Sequence, residues 1–296
     1  DNPHRCLLSI VPDVQHMVQQ EQAIEKRLNE VLATMEKGAV ELIKADTVRF
    51  ETFQERRDEE TDLATIPLLS RSDLPAEIRI LNQTTAMLTD VPVLLQPMET
   101  NGIVYLDGMF AIDDLTEEEH LLIPLLTRML HMTGIGAVPY DQVAVRVREL
   151  TGALYFYLEC GSRLESERDS LSALVFRMKS LVSDTPAAGR LLSEILTDAR
   201  LDDSERIVAV VNDLLSSFEA NVTSSGQMYA AQRCSAVFSP IMAQNEQWNG
   251  LSQWFYLSQL DMDNPTVVAA LGEHLVALRS KIIDRSRLTL HACASE

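Results

Sequence analysis

The sequence predicts an α+β fold, a mixed or antiparallel sheet with helices packed on one face, preceded by a long helical hairpin. Three observations predict it. Residues 14–57 contain no proline and repeat their apolar residues at helical spacing; strand-like runs cluster between residues 86 and 112; and helical stretches then dominate up to a closing strand-like run, Leu288–Cys293.

The elements follow in order. Arg5–Val11 is a short apolar run stopped by Pro12 and Asp13, as a buried strand is. Helices are expected at Gln15–Glu36 and Ala39–Arg57, parted by Gly38, with Ile24, Leu28, Val31, Leu32 and Met35 on one stripe. A coiled-coil dimerisation arm is the competing reading of this pair, but its heptads are few and irregular. Leu63–Ile78 is an extended, proline-punctuated connector. Strands are expected at Ala86–Leu88, Pro92–Pro97 and Ile103–Ile112, the last alternating apolar with polar or small residues. Thr116 and Glu119 form a capping box that opens a helix running to Met132. A helix at Pro139–Leu150, strands at Gly152–Cys160 and Ala173–Leu181, and a helix at Pro186–Thr197 come next. Further helices are expected at Asp202–Val222, Gly226–Phe238, Asn249–Gln259 and Thr266–Leu278. Three segments result: 1–13 as the last strand of a preceding domain, 14–62 as a hairpin linker, and 63–296 as the α+β domain. The polar start without Met and the orphan first strand make the chain an expected piece of something longer.

Charge narrows the function classes. Asp and Glu number 44 against 25 Lys and Arg, a formal charge of -19. Nucleic acid is not an expected partner, because displacing counterions from phosphates needs a basic stripe. An anionic membrane surface is not expected either, and no apolar run reaches the ~18–20 residues of a membrane span. Cys6, Cys160, Cys234 and Cys293 lie far apart with no CxxC pair. A reducing compartment is expected, the cytoplasm of a bacterium or an organelle matrix, and not secretion.

The chemistry of an active site is missing from the sequence. Histidines stand at 4, 16, 120, 131, 274 and 291. A zinc peptidase helix needs two His on one face with a carboxylate beside the metal-bound water. No His here is followed by Glu, so HExxH is absent; for the inverted HxxEH, the positions three before Glu119 and Glu273 are Thr116 and Ala270. Gly134-Ile135-Gly136 follows a helix and reads as its C-terminal cap rather than a phosphate loop. Tyr155 and Tyr157 fall on one face of a strand, and Trp248 and Trp254 read as core or interdomain packing. No catalytic, metal, cofactor or substrate-binding residue is assigned.

Several stretches resemble the presequence-protease branch of the pitrilysin/insulinase zinc metallopeptidase superfamily. The most specific is Ser224-Ser225-Gly226-Gln227-Met228-Tyr229-Ala230 with Arg233, then Phe238-Ser239-Pro240, then Glu246-Gln247-Trp248-Asn249-Gly250-Leu251-Ser252. Asp62-Leu63-Ala64-Thr65-Ile66-Pro67, Ser72-Asp73-Leu74-Pro75, Thr100–Leu106, Pro139-Tyr140 and Thr151-Gly152 are similar to the same branch and collinear with it. The resemblance implies a linker plus the third of four similar domains, in a two-half protease that closes around short unstructured peptides. Zn2+ and its HxxEH helix are then expected in the N-terminal half, which would also be this chain's partner, with none in the chain itself. Gly152-Ala153-Leu154-Tyr155-Phe156-Tyr157 stands where members carry a small-residue strand, so substrate preference is expected to differ. The implied function is a non-catalytic part of the chamber wall of a zinc metalloendopeptidase; the alternative is a stand-alone acidic interaction module with a helical docking arm.

Overall fold

The computed structural model describes residues 15–75, 82–163 and 166–295, and the chain divides into two compact units at Ile78. The expected strand at Arg5–Val11 and the last residues of the connector, 76–78, lie outside the described residues.

In the first unit the two expected helices form as α1 (His16–Thr34) and α2 (Lys37–Glu55). The break falls at Met35 and Glu36, both in extended backbone, and Gly38 is absorbed into the first turn of α2. Spacing alone favours the glycine; the chain instead turns where two consecutive residues leave helical ψ. The stripe Ile24, Leu28, Val31 and Leu32 is covered by nothing in this structure, at 46–59% exposure. The connector contains one further helical turn, α3 (Glu60–Leu63), and a 3₁₀ turn at Arg71–Asp73, each closed by a capping box.

The second unit is built on a six-stranded sheet. Its strands β1 (Thr84–Leu88) and β2 (Val91–Pro97) form a hairpin over a two-residue turn in which Thr89 takes positive φ. After β3 (Ile103–Ala111) the chain crosses through α4 (Glu117–Met132) and α5 (Tyr140–Leu150) to β4 (Ala153–Arg163). It returns antiparallel as β5 (Ser166–Leu181), then runs through α6 (Thr185–Asp198), α7 (Ser204–Ser235), α8 (Pro240–Asn249), α9 (Leu251–Ser258) and α10 (Pro265–Ile282). The last strand, β6 (Leu288–Ala294), inserts between β2 and β3, giving the order β1-β2-β6-β3-β5-β4. Among the described pairings β2–β6 is parallel and the others antiparallel, so the sheet is mixed as expected.

One face of the sheet carries the helices. Phe110, Leu154, Phe156, Leu174, Phe176 and Met178 point into a core shared with Leu125, Leu126 and Met129 of α4 and Leu191 of α6. Period-two alternation puts Asp107, Tyr155, Tyr157 and Arg177 on the other face. There Arg177 grips Asp107 through two bonds of 2.8 Å and lies over the Tyr157 ring. Tyr155 and Tyr157 are neighbours at 6.0 Å, as their spacing predicts.

Three boundaries differ from the sequence reading. The stretches expected as separate helices at 202–222 and 226–238 form one long α7, interrupted by non-helical Ser225. The helix α8 was not expected; its Ser239 caps the Met242 N–H and Pro240 occupies the first turn, a start signal the sequence does contain. Strand β5 begins at Ser166, ahead of the expected Ala173, because pairing with β4 extends a polar hairpin whose composition carries no strand signal.

Candidate functional site

β4 is an edge strand of the sheet, and beside it opens a cleft of about 710 Å³. Four elements wall it: α4 with Pro124, Thr127, Arg128 and His131, the β4 edge at Phe156 and Leu158, α7 with Leu214 and Phe218, and the α8–α9 corner with Trp248 and Gln253. Its volume lies in the range of sites that enclose a ligand.

The α4 wall is set by the start of its helix. Thr116 accepts from the Glu119 N–H, and the Glu119 carboxylate accepts from the Thr116 N–H, so the expected capping box fixes where the first turn begins. From there Pro124, Thr127 and Arg128 reach the cleft at i, i+3 and i+4. That is the spacing of an inverted zinc helix, and a proline, a hydroxyl and a guanidinium are not a donor set for zinc. Arg128 is committed to Asp213 of α7 at 3.2 Å. His131, three residues on, is committed as well. Its Nε2 accepts the Phe156 N–H at 2.7 Å and its ring meets the Phe156 ring edge-on at 5.1 Å. Burial, and then the nearby Arg128, hold this imidazole below the usual histidine pKa, which keeps Nε2 an acceptor at neutral pH.

The other histidines and cysteines do not converge. His120 is buried against Trp248 at 5.9 Å, and its neighbour Glu119 is bound to Lys281 at 2.7 Å. His274 lines a separate cavity with Glu118 and Tyr256, and His291 bonds Gln96 at 3.1 Å on the far side of the sheet. His4 and Cys6 lie outside the described residues. Cys160 donates to the Ile241 carbonyl, and burial raises its thiol pKa, so it is not an activated nucleophile. Among the described residues no three His, Cys, Asp or Glu side chains gather as metal ligands.

Gln253 is the residue that the sequence reading passed over. It is 2% exposed, and neither its Oε1 nor its Nε2 has a hydrogen-bond partner. The signal was present: Gln253 and buried Leu257 stand at i, i+4 on one stripe of a short apolar helix.

The block Arg233, Glu246, Trp248, Gly250 and Ser252 forms a clasp that holds α7, α8 and α9 together behind the cleft. The buried Glu246 carboxylate accepts from Arg233 at 2.8 Å, from the Ser252 hydroxyl at 2.7 Å and from the Ser252 N–H at 3.1 Å. A Cβ on Gly250 would sit 2.6 Å from the Glu246 carbonyl oxygen, so the α8–α9 corner closes only on glycine. Burial works against ionisation of Glu246, but the Ser252 and Arg233 bonds outweigh it and lower its pKa. The stability this supplies is therefore present above the ordinary glutamate value near 4.5 and is lost as pH falls through the lower folded value. Glu246→Gln should cost about 1–3 kcal/mol at pH 7 and flatten the acid limb of the stability profile, read by urea titrations between pH 3 and 7.

Known proteins share this architecture. The family model for the peptidase M16, subfamily C, associated domain matches residues 10–260. A mitochondrial presequence protease of Xenopus laevis is 26% identical over 85% of this chain and 24% of its own length. Presequence protease 1, chloroplastic/mitochondrial, of Arabidopsis thaliana is 25% identical over 97% of the chain and 26% of its own length. The chain thus spans about a quarter of these relatives. Among solved structures, a peptidase M16 inactive domain from Pseudomonas fluorescens superposes with a TM-score of 0.52 at 15% identity, over 73% of this chain and 47% of that one. At that identity the likeness is one of fold.

Proposed function

The chain belongs to the family of domains associated with subfamily C of the M16 peptidases, and from that premise we propose that it is a non-catalytic part of a zinc metalloendopeptidase, forming one wall of a chamber that encloses short unstructured peptides. The observation that carries this reading is the α4 wall of the cleft. At the spacing of a zinc helix it presents Pro124, Thr127 and Arg128, while the fold of the family is kept. Zinc and its HxxEH helix belong to the N-terminal half of the parent polypeptide, with which this chain would close. Closing around a peptide shuts out folded proteins by size and holds the substrate in place, which lowers the entropic part of the barrier. The acidic surface, at -19, favours basic peptides. No described helix is long and apolar enough to cross a membrane, and the organelle names of the relatives favour a matrix or cytoplasmic setting.

The test is cleavage of an unstructured basic fluorogenic peptide with added zinc. The chain alone should be inactive and the full-length parent active in a chelator-sensitive manner. Chelator-sensitive cleavage by the purified chain, or an inactive parent, would overturn the reading.

A further inference from the structure

We propose that the cleft beside β4 is itself a peptide site, in which an extended segment adds to the β4 edge as a seventh strand and one of its polar groups bonds the Gln253 side chain. The inference deepens the chamber reading, on which it rests for the source of the peptide.

Three independent features converge on this ligand. The first is the free edge. Phe156 pairs with Phe176 across β5, and its N–H points outward to His131. By alternation the Leu158 N–H and the Phe156 carbonyl also point outward. Among the described residues no side chain or turn backbone bonds the Leu158 N–H. An open edge of this kind is the template that extended peptides use. His131 blunts only one position of it and leaves the cleft side of Leu158 available.

The second is the orphaned amide. A buried polar group without a partner costs about 1–3 kcal/mol, and Gln253 carries two such atoms in the wall of this same cleft. A carboxamide offers one acceptor and a pair of donors. A peptide group, or an amide or hydroxyl side chain beside it, is the complement.

The third is the lining. Phe156, Leu158, Leu214, Phe218 and Trp248 give apolar walls to a space of about 710 Å³, which is enough for one or two side chains of a strand lying on the edge. A metal ion, a phosphate or a nucleotide would find no cluster of ligands here, since the one cation in the wall, Arg128, is paired with Asp213. The occupant is an extended peptide with an apolar or amide-bearing side chain facing the helices.

The decisive measurement is binding of a fluorescein-labelled, proline-free ten-residue peptide of alternating valine and threonine, flanked by lysines, to this chain by fluorescence anisotropy. The same peptide N-methylated at alternate residues, in both phases, serves as the control, because methylation removes strand donors and keeps the side chains. The unmethylated peptide should bind at least tenfold more tightly than either methylated one, and should protect the Leu158 amide from hydrogen exchange. Gln253→Leu should weaken binding about tenfold without lowering the thermal midpoint, since it replaces an unpartnered amide. Leu158→Pro, tolerated on an edge strand whose N–H points outward, should weaken binding comparably. Equal affinity for methylated peptides, or no binding at all, overturns the proposal. So does a dimer of the chain that Leu158→Pro abolishes in the absence of peptide binding, which would assign the edge to a second copy. If the parent cleaves peptides while this chain binds none, the chamber reading stands and only this inference fails.

Discussion

Trp248→Ala should destabilise the second unit by about 3–5 kcal/mol and lower its thermal midpoint by roughly 6–20 °C, on the scale of 2–4 °C per kcal/mol for domains of this size. Trp248 is 2% exposed and packs its ring against His120 at 5.9 Å, where the α8–α9 corner meets α4. Truncation removes the largest side chain in that corner and leaves a cavity that the Glu246 clasp prevents from collapsing. The indole Nε1 has no hydrogen-bond partner, so the loss is one of packing and not of a bond. Trp248→Phe should therefore recover more than half of the loss, because it keeps an aromatic ring and removes an unsatisfied N–H. Urea unfolding followed by far-UV circular dichroism separates the three proteins. A phenylalanine variant as unstable as the alanine one would show that the indole N–H matters, through a bond absent from this structure.

Much of this was legible in the residues. The capping box at Thr116 and Glu119, the alternation of Ile103–Ile112, and the closing run at 288–293 each report a local preference, and each became the expected element. Helix packing on one sheet face followed from the same alternation. The insertion of β6 between β2 and β3 was not legible, because strand order is decided by which edges remain open after the helices have packed, and chain order does not encode that. The cleft was legible only in part. The failure of the zinc motif could be read directly from the spacing of Glu and His. The placement of Pro124, Thr127 and Arg128 beside an edge strand required the fold. His131 looked like one more scattered histidine; its role as acceptor for Phe156 depends on a residue 25 positions away.

The same limit explains why Gly108 attracted no notice in the sequence, where it passed as a small residue in an alternating strand. It lies on the helix-facing side of β3, opposite Phe176 of β5 and Leu290 of β6. The Phe176 ring lies across it, and a Cβ at residue 108 would sit 2.1 Å from two of the ring carbons. The ring is 3% exposed and bounded by Phe110 at 6.2 Å, so it has no empty space to turn into. Gly108→Ala should thus cost about 1–3 kcal/mol through overpacking, despite alanine's advantage over glycine in chain entropy. Phe176→Leu alone should cost a comparable amount by leaving space over the glycine. The double variant should be more stable than the sum of the two losses by at least about 0.5–1 kcal/mol, because the new methyl group occupies space that the smaller side chain vacates. Urea midpoints of the four proteins close this cycle. Strict additivity would mean that the strand shifts to admit the methyl group, and the close approach of Phe176 to the β3 backbone would then not be what demands glycine at 108.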